Sequence, residues 1–129
     1  MQNYKIFTDT ASDLPEGISE SFGITEVPLK VFISGKEEKP DVAAFYRRLR
    51  DGEIATTSAP NLEDFIERME PALRDGFDIL FLAFSSALSS TFQTALLAKT
   101  ELEQRFPDRK IRVIDTRAAS TGEGLLVYL

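Results

Sequence analysis

Five hydroxyl side chains fall within seven residues in the segment Ser85 to Thr91, directly after the apolar run Ile79 to Phe84. The run shows no alternation of apolar and polar residues, which predicts a strand buried on both faces of a parallel sheet. A helix is predicted from Phe92 to Arg105. A hydroxyl-rich turn between a buried strand and a helix N-terminus collects free backbone N–H groups and Ser or Thr donors at one point, which suits an anionic head group.

The residue types of this segment indicate which anion it would bind. Phosphate groups are usually met by Lys, Arg or a glycine-rich loop, and Ser85 to Thr91 contains none of these. Ser and Thr donors at a helix N-terminus can satisfy a single carboxylate or a neutral polar head group. We therefore expect one of these rather than a polyphosphate. Four apolar side chains beside the segment favour ordinary core over an apolar slot: Phe81, Phe84, Leu88 and Phe92.

Composition excludes several classes of function. The chain has 129 residues, 43% of them hydrophobic, which fits one globular domain. A net charge of -6 gives no electrostatic footprint for nucleic acid. Cysteine and histidine are absent, which removes disulfides, thiolate nucleophiles, imidazole bases and the usual zinc sites. Neither a signal peptide nor a membrane-spanning apolar run is found in the sequence, so we expect a soluble cytoplasmic protein.

Strands and helices alternate along the chain, which predicts a three-layer α/β/α fold with a mainly parallel sheet and right-handed crossovers. Asp13 is the expected N-cap of a helix that contains Pro15 and ends at Gly23. Asn61 and Asp64 resemble a capping pair for the helix that ends at Gly76. Segments 4–7, 26–33, 79–84 and 111–114 are the predicted strands, 41–50 a further helix and 55–60 a polar loop, and Pro28 favours an edge position for its strand.

Four polar segments are expected near the carboxyl ends of the strands, where ligands bind in doubly wound sheets: 8–13, 56–60, 85–91 and 115–121. Each segment alone is better explained by caps and turns, and it is their convergence that favours a site. The alternative is a metal-dependent phosphotransferase or hydrolase that uses Asp9 and Asp115 to hold Mg²⁺. This alternative is disfavoured because segment 85–91 contains no Lys or Arg to bind a phosphate.

The C-terminal residues 122–129 begin another predicted helix, and the sequence stops inside it without a cap or stop signal. We expect the chain to be the N-terminal part of a longer protein.

Five segments, in this order, resemble the DegV family of bacterial lipid-binding proteins: TDTASDLP, VPLKVFISGKE, TTSAP, FSSALSSTFQTA and VIDTRAASTGEG. The resemblance covers the whole chain. It implies that residues 1–129 form the N-terminal α/β domain of this family, whose second, C-terminal lipid-binding domain is absent from this sequence.

The resemblance further implies a non-catalytic protein that needs no cofactor or metal and binds a long-chain fatty acid, such as palmitate, with its acyl chain in an apolar tunnel. Its role would be lipid transport or presentation of the acid to a fatty acid kinase partner. Matching the motifs residue by residue assigns the carboxylate to Thr57 and Ser89, with Ser58, Ser86 and Ser90 as weaker candidates. Phe84 and Leu88 are the candidates for acyl-chain contact. Ala59, Ala87 and Ser90 depart from the usual residues of these motifs, which puts the head-group geometry in question.

Overall fold

A computed structural model describes residues 3–15, 17–38 and 41–128. Its strands are β1 (Tyr4–Asp9), β2 (Thr25–Val27), β3 (Lys30–Ile33), β4 (Lys36–Glu38), β5 (Ala55–Ser58), β6 (Asp78–Ala83) and β7 (Ile111–Asp115). Its helices are α1 (Ile18–Phe22), α2 (Val42–Arg50), α3 (Leu62–Arg74), α4 (Thr91–Arg105) and α5 (Ser120–Tyr128), and a short 3-10 turn covers Thr10–Ser12.

The main sheet has four strands in the order β2-β1-β6-β7, and all its pairs are parallel. Phe7 of β1 lies opposite Phe81 of β6, which in turn lies opposite Val113 of β7. The predicted α/β fold with a mainly parallel sheet flanked by helices is confirmed. Pro28 follows β2, which is an edge strand as expected.

One face of this sheet carries the hydrophobic core. Phe7 and Phe81 point to this face and pack against α3 and α4, which contribute Phe65, Met69 and Leu102. The rings of Phe65 and Phe81 meet edge to face with centroids 5.3 Å apart, a favoured geometry for aromatic pairs. The apolar residues of α3 recur at helical spacing, which is why this helix buries one side against the sheet.

The opposite face is only partly covered. Side chains alternate between the two faces of a strand, so Thr8 points away from Phe7 and its core. Thr8 contacts Glu123 of α5, which places α5 on this second face near the carboxyl ends of the strands. Further along, Leu80 and Leu82 are half-buried and Ile114 of β7 is exposed. The prediction that the strand at 79–84 is buried on both faces is therefore wrong for its second face.

A second, antiparallel sheet of three strands, in the order β4-β3-β5, was not predicted. The segment 26–33 is two strands rather than one: β2 joins the main sheet and β3 the second sheet, with Pro28 and Leu29 between them. Proline cannot donate a ladder hydrogen bond, so the chain changes sheets at that point. The segment 55–60, predicted as a loop, forms β5 up to Ser58 because β3 pairs with it.

Two predicted helix starts are confirmed and one is wrong. Asp41 caps α2 by accepting a hydrogen bond from Ala44 N, and Asn61 and Asp64 form a complete capping box at α3. Asp13 does not cap α1: it lies in the left-handed region at φ 48° and follows the 3-10 turn, whose N-cap is Asp9. Helix α1 begins after Gly17, and Gly23 ends it as predicted.

The predicted C-terminal helix is present as α5, with Leu129 outside the described residues. In the part of the chain that the structure describes, none of the helices has the length and apolar character needed to cross a membrane.

Candidate functional site

The carboxylate of Asp9 ties the end of β1 to the end of β6. Its Oδ2 accepts a hydrogen bond of 2.7 Å from the backbone N–H of Phe84, and its Oδ1 accepts one of 3.1 Å from Ala11 N. Asp9 is fully buried, and this burial raises its pKa although the two N–H donors act in the opposite direction. The contact fixes the point at which the chain leaves β6 and enters the hydroxyl-rich segment 85–91.

A second carboxylate, Asp115 at the end of β7, holds the next residue of that segment. It accepts hydrogen bonds from both the backbone N–H and the hydroxyl of Ser86, and from Arg117 N. The hydrogen bond from the Ser86 hydroxyl lowers the pKa of Asp115 more than any other contact. Ser86 is one of the weaker predicted head-group ligands, and its hydroxyl proton is committed to Asp115 in this arrangement.

The loop after β7 also braces this edge of the sheet. Ser85 N donates to Ala118 O at 3.0 Å, and the hydroxyl of Thr116 donates to Ala83 O at 2.6 Å. Ser120 Oγ donates to Asp13 Oδ2 at 2.6 Å, which joins the loop after β1 to the start of α5. The predicted convergence of segments 8–13, 85–91 and 115–121 at one edge of the sheet is therefore found.

Ser89 and Ser90 lie at the N-terminus of α4. The hydroxyl of Ser89 is 2.7 Å from that of Thr91 and accepts a hydrogen bond from Thr91 N. Ser90 occupies the N-cap position without forming a side-chain capping bond. A helix leaves its first N–H groups without partners inside the helix, so the N–H groups of Phe92 and Gln93 face the same end as Ser89. This helix end offers hydroxyl and N–H donors to an anion.

Glu123 is a buried residue of this region that the sequence reading missed. It lies in α5, is fully buried and contacts the side chains of Thr8 and Asp9. Burial and the adjacent Asp9 raise the pKa of Glu123 to about 9. The available signal was a single acid between two glycines in a segment that is otherwise polar only at its start, STGEGLLVYL.

Thr57 and Ser58 belong to β5 of the second sheet, whereas the other predicted head-group residues follow β6 of the main sheet. Both are exposed; Thr57 pairs with Val31 and Ser58 with Lys30 across the β3–β5 ladder. Across the described ranges, no hydrogen bond joins Thr57 to the segment 85–91. The shared role of Thr57 and Ser89 at one head group therefore stays a prediction.

A groove of about 950 Å³ is lined by residues of both sheets and of α2. Neither Thr57 nor Ser89 lines it. Its apolar wall includes Leu29 and Phe45, and its rim carries several carboxylates, among them Glu26, whose pKa burial raises. The lining has six carboxylates and two cations, Lys30 and Arg68, and this excess of negative charge disfavours a carboxylate head group. Electrostatics therefore favour the hydroxyl cluster at the sheet edge over this groove.

The two predicted acyl-chain contacts differ in exposure. Phe84 is half-buried where β6 ends, whereas Leu88 is 67% exposed in the hydroxyl segment itself. An exposed leucine next to Ser89 leaves apolar surface beside the polar donors. Of the other two apolar neighbours, Phe81 is fully buried core and Phe92 packs against that core, as the core interpretation expected.

The metal alternative finds little support in the geometry. The carboxylate oxygens of Asp9 and Asp115 already accept hydrogen bonds from N–H and hydroxyl donors of the loops. Within residues 3–15, 17–38 and 41–128, no group of three or more acids could hold a metal ion. Asp9 and Asp115 thus act as anchors of the loops in this structure.

A parallel α/β sheet whose loops gather hydroxyl and N–H donors at the carboxyl edge is the class of domain that these elements define. Within that class, the chain belongs to the DegV family. The model of this family, described as uncharacterised proteins, matches residues 3–129.

Curated relatives and solved structures agree with this assignment. A DegV domain-containing protein of Clostridium perfringens is 41% identical over 99% of this chain, which covers 46% of that relative. A DegV family protein from Thermus thermophilus, whose structure is described as showing fatty acid binding, is 36% identical with a TM-score of 0.83; the match covers 98% of this chain and 45% of that one. A stearic acid-binding protein from Eubacterium ventriosum is 27% identical with a TM-score of 0.89, covering 97% and 45%. The chain spans about half the length of these relatives.

Proposed function

We propose that this chain is part of a non-catalytic protein that binds a long-chain fatty acid, with the carboxylate held at the hydroxyl-rich N-terminus of α4. The observation that carries the proposal is the donor set around Ser89. Its hydroxyl lies beside that of Thr91, the N-cap Ser90 forms no capping bond, and the segment 85–91 holds no cation. Such a set matches one carboxylate better than a polyphosphate. Fatty acid binding by the Thermus and Eubacterium relatives supports the same ligand.

The acyl chain explains why no cation is needed. Each buried methylene contributes about 0.8 kcal/mol, so a chain of sixteen or so carbons supplies ample binding energy. The exposed Leu88 beside Ser89 is where we expect the acyl chain to leave the polar cluster. The remainder of the apolar tunnel is assigned to a second domain, which the family resemblance implies.

The wider role in this proposal is lipid transport or presentation of the acid to a fatty acid kinase, in the cytoplasm. It is supported by the family resemblance alone. The kinase would be the enzyme, and this protein its lipid carrier.

The test is a double substitution, Thr57→Ala with Ser89→Ala, in the full-length protein. A hydrogen bond to a charged group contributes about 1.5–3 kcal/mol, so loss of two should weaken stearate binding at least roughly 100-fold. Stearate affinity is measured by titration calorimetry, and co-purified lipid by mass spectrometry of an organic extract.

The matched control removes two other hydroxyl groups, with Thr56→Ala and Thr100→Ala. Thr56 neighbours Thr57 on β5 but points to the opposite face, and the exposed hydroxyl of Thr100 bonds Leu96 O of its own helix. This pair should leave stearate affinity unchanged. If the Thr57 and Ser89 variant keeps its lipid, the head-group assignment is wrong; if the wild-type protein never carries or binds a fatty acid, the proposed function is wrong.

A further inference from the structure

One oxygen of the Glu123 carboxyl group lies where a charged carboxylate oxygen would have no hydrogen-bond donor in the described part of the chain. Oε1 of Glu123 is buried and has no hydrogen-bond donor to accept from within the described residues. Its other oxygen, Oε2, lies 3.1 Å from the hydroxyl of Thr8. A buried, unpartnered carboxylate oxygen costs a large desolvation free energy. The same atom is satisfied if it carries a proton and donates it.

Asp9 is the acceptor within reach. The side chains of Asp9 and Glu123 are buried next to each other, and two carboxyl groups can form a hydrogen bond only if one of them is protonated. Asp9 already accepts two backbone N–H bonds, which stabilise its charged form. Thr8 has a single hydroxyl proton with two acceptors in reach, Leu82 O at 2.8 Å and Glu123 Oε2 at 3.1 Å, so it supports a charged Glu123 less than the two N–H groups support a charged Asp9. The proton therefore belongs on Glu123 and the charge on Asp9.

The charges around Glu123 favour the same assignment. Asp9 and Asp13 are the two charged groups that act on it, and both are acids that oppose its ionisation. In residues 3–15, 17–38 and 41–128, no Lys or Arg forms an ion pair with Glu123. A neutral glutamic acid is thus the form that fits this site.

We propose that Glu123 is a positioning residue of the head-group site: its protonated carboxyl donates a hydrogen bond to Asp9, which in turn holds the Phe84 N–H at the entrance to segment 85–91. This inference rests on the proposed function, because it assigns Glu123 a role in placing the donors around Ser89. Helix α5 packs on the 3-10 turn and on β6, and Glu123, which is fully buried there, acts on those donors through Asp9. The chain from Glu123 to Asp9 to Phe84 couples the docking of α5 to the path of the loop.

The test compares Glu123→Gln with Glu123→Leu in the full-length protein. Glutamine has nearly the same shape and can still donate an N–H to Asp9, whereas leucine fills the space without a donor. The ¹H–¹⁵N resonance of the Phe84 amide reports its bond to Asp9, and Phe81, earlier on β6, is the control amide for an intact sheet. Stearate affinity is measured on the same samples. The infrared spectrum of the wild-type protein at pH 7 reports the protonated carboxyl directly.

The Gln variant should bind stearate within about threefold of wild type and keep the Phe84 resonance, while the Leu variant should bind at least roughly tenfold more weakly and shift it. The wild-type infrared spectrum should contain a protonated-carboxyl band that Glu123→Gln removes. Equal behaviour of the two variants, or absence of that band, overturns the proposal; the band decides even if the Leu variant does not fold. A wild-type protein that binds no stearate refutes the proposed function, whereas the Phe84 resonance without ligand still tests the positioning role.

Discussion

Helix α5 approaches the loop after β1 so closely at Gly124 that a side chain does not fit. A Cβ at this position would lie 2.5 Å from the carbonyl oxygen of Ser12 and 3.5 Å from Cδ2 of Leu14. Carbon contacts are most favourable at about 3.5–4.0 Å, so in Gly124→Ala the helix must move away by roughly 1 Å. Because the obstacle is backbone, we expect overpacking at the upper end of its usual range, about 3 kcal/mol. Alanine's better helix propensity returns about 1 kcal/mol, leaving a net loss of about 2 kcal/mol.

Gly122, two residues earlier in the same helix, is the matched control. A Cβ there meets only Ala118 Cβ, at 3.7 Å, which is an ordinary contact. Gly122→Ala should therefore be neutral or stabilise the protein by up to about 1 kcal/mol. Urea unfolding followed by circular dichroism gives both free energies, with equal m-values as the check that only stability changed. Equal stability of the two variants would show that α5 does not pack on Ser12 as described, and would refute the reasoning.

Two further predictions concern titration and capping. Glu123 has a pKa of about 9 when folded against a usual 4.5, so its stabilising contribution is complete below pH 4.5 and is lost as the pH rises towards 9. The free energy of unfolding of wild type should consequently fall across that window relative to Glu123→Gln, and parallel pH curves would contradict the assignment. Asn61→Ala removes one half of the capping box of α3 and should cost about 1 kcal/mol in urea unfolding, while no loss would mean that the cap contributes nothing to this helix.

Elements whose local sequence and tertiary setting agree could be predicted. Helix α3 is the best example, since its capping residues, its apolar spacing and its end near Gly76 all appear in the sequence. The parallel sheet followed from strands alternating with helices, and the gathering of three loops at one edge followed from that topology. Local signals were sufficient because each of them pointed to the same fold.

Elements that depend on distant partners could not be predicted. Strand β5 has the short polar sequence Ala-Thr-Thr-Ser, which shows no apolar alternation although its threonines suit a strand, and its pairing with β3 decides the outcome. Asp13 has the residue type of an N-cap, yet it ends the 3-10 turn in a left-handed conformation, and its side chain bonds Ser120, over a hundred residues away. The burial of Glu123 likewise depends on how α5 docks, and no spacing rule encodes that. The position of Thr57 relative to Ser89 could not be predicted for the same reason, because it is set by the second sheet.

Backbone strain is concentrated at the same edge as the hydroxyl donors. Asp13, Arg117 and Ser120 all have positive φ values, 48°, 54° and 52°, which cost L-residues roughly 1–2 kcal/mol each. Two of them are joined by the bond from Ser120 to Asp13, and Asp115 accepts the N–H of Arg117. Such strain persists only where surrounding contacts fix the chain. A site without a cation must hold its neutral donors in place before the ligand arrives. Each donor contributes little binding free energy, and the entropy cost of ordering it on binding would cancel that contribution. The strained, cross-linked loops meet that requirement, and the buried pair of Asp9 and Glu123 extends it into the sheet.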